Sequence, residues 1–156
     1  MHASSGHGYA LLYETLGQER QVSKLLIIKV ERDALEAVIK AIAETCRQAY
    51  ERLGVLANAN PRLDLTDTGL PIDEVRTRES IAATRAAQLL AASGREFELE
   101  LLLSQNEALT YIGHLADTLS RRESDPERLA FVRKLWKDVT RLQEDVLALL
   151  RRPAKA

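Results

Sequence analysis

The chain has 156 residues, which is enough for one domain with an apolar core of its own. Lys and Arg number 22 and Asp and Glu number 23, and the formal charge of −1 leaves no basic excess of the kind that nucleic-acid binding requires. The single cysteine, Cys46, excludes an intrachain disulfide and a cysteine-cluster metal site, and no apolar run reaches the roughly 20 residues of a membrane span.

The start of the chain, residues 1–8, is predicted to be disordered. Its sequence, Met-His-Ala-Ser-Ser-Gly-His-Gly, lacks the charged and then apolar pattern of a secretory signal. The sequence as given therefore predicts a cytoplasmic protein. An exported form whose signal has been removed is the alternative.

Two helices are predicted in the first third of the chain, at about residues 9–30 and 33–57. Asp33 and Glu36 have the spacing of a capping pair at the start of the second helix. No Gly or Pro separates the two helices, so one continuous helix is the alternative. We favour a turn at Glu31–Asp33, because a helix of the combined length would far exceed the usual range.

The next segment is a long connection that carries a shorter helix. Asn60–Pro61, Thr68–Gly69 and Leu70–Pro71 are turn signals. They precede an amphipathic stretch that predicts a helix at about residues 74–92. Its inner face is expected to consist of Val75, Ala82, Ala86 and Leu89.

The last two helices are predicted at about residues 94–122 and 126–151. Ser93 and Glu96 form a capping-box pattern, and Asp125 is placed to cap the last helix, with Pro126 at its first position. The short link between them predicts an antiparallel hairpin. Both helices carry apolar stripes, and these include Trp136 and two amides, Gln105 and Gln143, that we expect to bond to each other.

Two short-linked hairpins joined by a long crossover are the topology of ferritin-like folds. The sequence thus predicts an all-α protein: a ferritin-like up-and-down four-helix bundle with an extra helix in the crossover between helices 2 and 3. It forms a single domain over residues 9–152.

Three stretches carry a resemblance to a bacterial ferritin-like domain of unknown function. They are Glu19 to Leu26 leading on to Leu53, Gly94-Arg95-Glu96-Phe97-Glu98, and Ser124-Asp125-Pro126 leading on to Leu150. The resemblance implies the bundle fold. It does not extend to that family's His positions: Cys46 stands at the first, His114 is displaced, and the last helix has none.

Four residues are candidate metal ligands. Glu100, Glu107 and His114 are spaced by sevens on one side of the helix at 94–122, and a solvated surface is the favoured interpretation for them. Glu19 falls on the inner side of the first helix, where a buried carboxylate needs a partner. The favoured interpretation is a charge partner such as Arg20, or a helix rotated so that Glu19 is exposed; a ligand or metal contact is the alternative. No Glu-x-x-His pair of a di-iron site occurs, and no cofactor is predicted.

A contact surface is predicted beside these polar residues. Leu99 and Leu103 lie outside the apolar stripe of their helix, next to Tyr111, and exposed leucines indicate an interface. No catalytic motif is found, so we expect no enzyme activity. The favoured hypothesis is a non-catalytic bundle that forms a homo-oligomer or binds a protein partner. The alternatives are a ferritin-like metal-binding protein or oxidoreductase, and an adaptor that accepts a partner helix in a groove.

Overall fold

The structure of the protein, a computed structural model, describes residues 3–24, 33–59 and 61–152. All regular structure in these ranges is helical, which confirms the prediction of an all-α protein. A short 3-10 turn at Val22–Lys24 follows the first helix. The five α-helices are α1 (Ala3–Glu19), α2 (Asp33–Leu56), α3 (Ile72–Ala91), α4 (Gly94–Ser120) and α5 (Pro126–Leu150).

Four of these helices enclose the core. α1 packs on α2 and α4, and α5 packs on the same two helices, whereas α3 has only a small contact with α4. The apolar stripe of each of the four helices is buried against its two neighbours, as amphipathic periodicity requires. Their largest fully buried side chains are Tyr9, Leu12, Leu16, Leu35, Ile39, Ile42, Leu53, Phe97, Leu101, Leu102, Leu109 and Ile112.

Side-chain contacts give the directions of the packed helices. Gly8, early in α1, lies against Leu119 near the end of α4, so these two helices are antiparallel. α1 and α2 are also antiparallel, because Tyr13 contacts Gly54 while the later Gly17 contacts Tyr50. α2 and α4 therefore run in the same direction, and the connection that carries α3 returns along the length of the core.

Helix α1 differs from its prediction at both ends. It begins at Ala3, so residues 3–8, which were predicted to be disordered, are helical. The small Gly8 makes this possible, because a Cβ there would come within 2.8 Å of the Leu119 side chain. α1 ends at Glu19, so it is not continuous with α2. The rest of the predicted first helix, residues 25–30, and the first two residues of the predicted turn, 31 and 32, lie outside the described residues.

The predicted helix caps and core residues of α4 and α5 are confirmed in part. Asp125 caps α5 by accepting a hydrogen bond from the Arg128 backbone N–H at 2.9 Å. Ser93 precedes α4 but makes no capping hydrogen bond with its side chain. Trp136 was predicted to be in the core and is instead 46% exposed, because it lies at the solvent edge of the α5 stripe.

The predicted bond between Gln105 and Gln143 is wrong. Gln143 donates to Asn106 Oδ1 at 2.9 Å and to Thr110 Oγ1 at 2.6 Å. Those two residues are one and five positions after Gln105, so Gln143 meets a different side of α4. Gln105 is left to face α1.

One buried side chain, Arg128, holds the end of α2. Its guanidinium donates to the carbonyl oxygen of Leu56 at 3.0 and 3.3 Å, to that of Ala59 at 3.1 Å and to that of Pro61. The last carbonyls of a helix have no intrahelical partner, so a buried cation with several N–H groups suits this position. α5 is thereby fixed to the C-terminal end of α2.

We expect Arg128→Met to lower the free energy of unfolding by about 2–4 kcal/mol, because it leaves several carbonyls without their donor. Urea unfolding monitored by circular dichroism measures this change. Arg133→Met is the matched control, since Arg133 is an exposed arginine on the same helix. Equal stability of the two variants would contradict this role of Arg128.

Candidate functional site

Three polar side chains meet inside the core, and we call them the central polar cluster: Glu19, Cys46 and Gln105. Glu19 is the last residue of α1, Cys46 lies in the middle of α2 and Gln105 lies on α4. Cys46 and Gln105 are buried. Glu19 is partly exposed as a whole residue, but its Oε2 atom is shielded from solvent.

Hydrogen bonding within the cluster is incomplete. The Gln105 side chain forms a hydrogen bond with the Glu19 carboxyl that favours its ionised form. The Oε2 atom of Glu19 and the Oε1 atom of Gln105 are buried and have no hydrogen-bond partner. Such atoms are uncommon in folded proteins, because desolvation without a partner is unfavourable. The cluster is therefore a polar defect in an otherwise apolar core.

Burial controls the protonation of both titratable groups in the cluster. It raises the pKa of the Glu19 carboxyl to about 7, against the opposing effect of the Gln105 hydrogen bond. Burial, together with the negative charge of Glu19, raises the pKa of the Cys46 thiol to about 12. The thiol is thus a protonated, inaccessible group and not a nucleophile. Glu19 is placed to change its charge near neutral pH.

The outer side of α4 brings several of the predicted site residues together under α3. Glu107 forms an ion pair with Arg85 at 2.7 Å, and the guanidinium carbon of Arg78 lies 5.9 Å from the centre of the Tyr111 ring. Glu100 lines a cavity of about 160 Å³ between α3 and α4. Other residues that line the cavity are Leu89, Leu103, Ser104 and Gln88.

The predicted metal ligands do not form one site. Glu107 is engaged by Arg85, Glu100 has one shielded oxygen without a partner, and His114 is exposed farther along α4. Glu19 lies on α1, in the central polar cluster. Across the described ranges, no three or more His, Cys, Asp or Glu side chains are grouped closely enough to hold a metal ion.

The exposure of helix α3 is the feature that sequence reasoning missed. It has 20 residues, and none of them is buried. Ile72 is 61% exposed and Leu90 is 54% exposed, while Leu103, on the neighbouring edge of α4, is 53% exposed. The amphipathic pattern predicted that α3 has an inner face, but the pattern alone does not show how little of that face the core covers. Leu99, predicted to belong to the interface, is partly buried.

A second groove lies between α2 and α5, with a volume of about 320 Å³. Phe131 and Leu135 form part of its wall, and charged side chains such as Arg52 and Lys134 surround them. No sequence signal indicates this groove, because it results from the spacing between two packed helices and not from a motif.

Comparison with known proteins gives no match to a family model, to a curated protein or to a solved structure. No helix in the part of the chain that the structure describes is both long and apolar enough to cross a membrane. The basis for a functional proposal is therefore the geometry of three features: the exposed helix α3, the groove between α2 and α5, and the central polar cluster.

We expect a maleimide at neutral pH to label Cys46 at least ~100-fold more slowly in the folded protein than in urea, because the thiol is buried and protonated. Mass spectrometry follows the reaction, since Cys46 is the only cysteine. The control is the double variant Cys46→Ala, Val55→Cys, whose thiol occupies an exposed position on α2. Folded protein that reacts as fast as this control would contradict the burial of Cys46.

Proposed function

We propose that the chain is a non-catalytic helical-bundle protein, ferritin-like in topology, that works by pairing with a second copy of itself through α3. We define the α3 surface as Ile72, Ala83, Ala86 and Leu90 of α3. The observation that carries this proposal is that α3 is a complete helix without a single buried residue.

The contacts of α3 within one chain are weak. An exposed ion pair such as Arg85–Glu107 and a cation–π contact such as Arg78–Tyr111 each contribute at most about 1 kcal/mol. Fixing the backbone costs roughly 1–2 kcal/mol per residue, and most of the stability of a helix in a folded protein comes from packing of its apolar side. No side chain caps the start of α3, where Pro71 precedes it. Burial against another surface would supply the missing stabilisation.

The part of α3 that α4 does not cover carries a stripe of apolar and small residues that another helix can contact. Val75, Arg78 and Leu89 mark the side that faces α4, whereas Ile72 and Leu90 lie about 100° around the helix from it, on one flank of α3. Between Ile72 and Leu90 this flank carries Arg76 and Glu79 and then the small Ala83 and Ala86, where another helix can approach closely. The stripe therefore has a large apolar residue at each end, with one charged pair and a shallow alanine stretch between them.

A second copy fits this pattern better than an unrelated protein does. When two α3 helices pair in opposite directions, Ile72 of each copy meets Leu90 of the other, so one contact occurs twice around a two-fold axis. Arg76 and Glu79, which lie on the same side, have opposite charges, so two identical surfaces do not repel each other.

The size of the surface sets the expected strength of the dimer. A helix of 20 residues is about 30 Å long, and one side of it provides about half of the roughly 800 Å² per partner of a standard interface. We therefore expect a reversible dimer with a micromolar dissociation constant.

Topology supports the ferritin-like part of the proposal. Two antiparallel hairpins, α1–α2 and α4–α5, are joined by a connection that makes α2 and α4 parallel, as in ferritin-like bundles. The metal-dependent alternative has no ligand cluster among the residues that the structure describes. The adaptor alternative would use the α2–α5 groove, and no observation favours it over the α3 surface.

We expect the double variant Ile72→Glu, Leu90→Glu to weaken dimerisation by at least about tenfold, because it places like charges at both ends of the pair. Sedimentation velocity between about 1 and 500 μM protein measures the association. Val55→Glu is the matched control, since Val55 is 62% exposed but lies on α2.

Circular dichroism and urea unfolding at low concentration establish that both variants fold. The proposal predicts a concentration-dependent dimer for the wild-type protein and for Val55→Glu, but not for the double variant. A wild-type protein that is a monomer throughout the range would contradict it. So would equal association of all three proteins.

A further inference from the structure

The central polar cluster lacks one hydrogen-bond donor. Glu19 Oε2 and Gln105 Oε1 are both acceptors when the carboxyl is ionised, and both are buried without a partner. The side chains that carry them already share one hydrogen bond. A single missing donor between the two residues accounts for both unpaired atoms.

A carboxylic acid and a primary amide can form two hydrogen bonds with each other. The acid O–H donates to the amide oxygen, and the amide N–H donates to the acid carbonyl. An ionised carboxylate can form only the second of these bonds. We propose that Glu19 and Gln105 form a proton-binding site in the core, in which a proton on Glu19 donates to Gln105 Oε1 and completes the pair.

The surroundings favour the protonated form. Burial is the largest effect on the pKa of Glu19 and raises it from 4.5 to about 7. In the part of the chain that the structure describes, the groups facing the carboxyl from the neighbouring helices are the Cys46 thiol of α2 and the Gln105 amide of α4. Arg20 follows in the chain, but its guanidinium donates to the Gly17 carbonyl and lies over the Tyr50 ring.

The position of Glu19 couples this proton to the fold. Glu19 ends α1, and α1 packs on both α2 and α4. When the carboxyl is neutral, the end of α1 can remain packed with both hydrogen bonds formed. When it is ionised, a buried charge without a cation favours opening of this end to water.

The sign of the pH effect follows from the two pKa values. Below pH 4.5 Glu19 is neutral in the folded and the unfolded chain, so stabilisation by the proton is fully present. Between pH 4.5 and about 7 the unfolded chain loses its proton first, and the folded state loses relative stability as the pH rises. Above about 7 both states are ionised and this site causes no further loss.

Glu19→Gln tests the site because a glutamine can form both bonds with Gln105 without a proton. We expect the unfolding constant of the wild-type protein, divided by that of Glu19→Gln, to increase by one to two orders of magnitude, roughly, between pH 5 and pH 8.5. Urea unfolding at both pH values measures this ratio. Glu14→Gln is the control, because Glu14 is exposed on the same helix. The unfolding constant of the wild-type protein, divided by that of Glu14→Gln, should change much less between these two pH values.

Two further measurements do not depend on the folding of that variant. In the carboxyl-carbon NMR spectrum of the wild-type protein, one glutamate should titrate near pH 7. A double-mutant cycle with Glu19→Met and Gln105→Met should show coupling at pH 5, where the acid is neutral. Titration of every glutamate below pH 5.5, a constant unfolding ratio, or absence of coupling at pH 5 would each overturn the proposal.

Discussion

The apolar sides of α1, α2, α4 and α5 are buried against one another, and this closed arrangement constrains the rest of the molecule. Each of these helices contacts two of the others, whereas α3 contacts the buried core through Leu89. The connection from α2 to α4 must return along the length of the core, and α3 forms within it. α3 is therefore held at one edge of α4, with most of its own surface exposed. The proposed self-association follows from this constraint.

Two of the charged side chains that reach into this core, Arg128 and Glu19, have opposite surroundings. Arg128 is surrounded by carbonyl oxygens at the end of α2, so its charge is well solvated by the protein. Among the described residues, Glu19 has one amide partner and no neighbouring cation that lowers its pKa. Arg128 therefore fixes two helices together, whereas Glu19 makes the end of α1 responsive to protons. Burial alone does not distinguish these roles; the number of hydrogen-bond partners does.

Periodicity was sufficient to predict the helical class and the positions of the helices from α2 to α5. These helices have regular apolar stripes and distinct starts, such as the Asp125 cap of α5. The end of α1 at Glu19 was not predicted, because apolar residues continue beyond it and no Gly or Pro marks a stop. The partner of Gln143 was also missed, since one position on a helix changes its direction by about 100°.

The candidate sites were predictable only in part. Glu19 was identified because a carboxylate stood on an apolar stripe, but its neighbours Cys46 and Gln105 come from helices whose register no sequence pattern gives. Leu103 was expected to be exposed and is. The exposure of α3 could not be predicted, because an amphipathic helix has the same pattern whether its inner side is covered fully or only at the edge.

The central claim is that α3 is covered by a second copy of the chain. Hydrogen–deuterium exchange of the α3 amides at low and high protein concentration tests it most directly, with the amides of α2 as the internal reference. The account predicts that protection of residues 72–91 increases with concentration while protection of α2 stays constant. Exchange of α3 that is the same at all concentrations would contradict it.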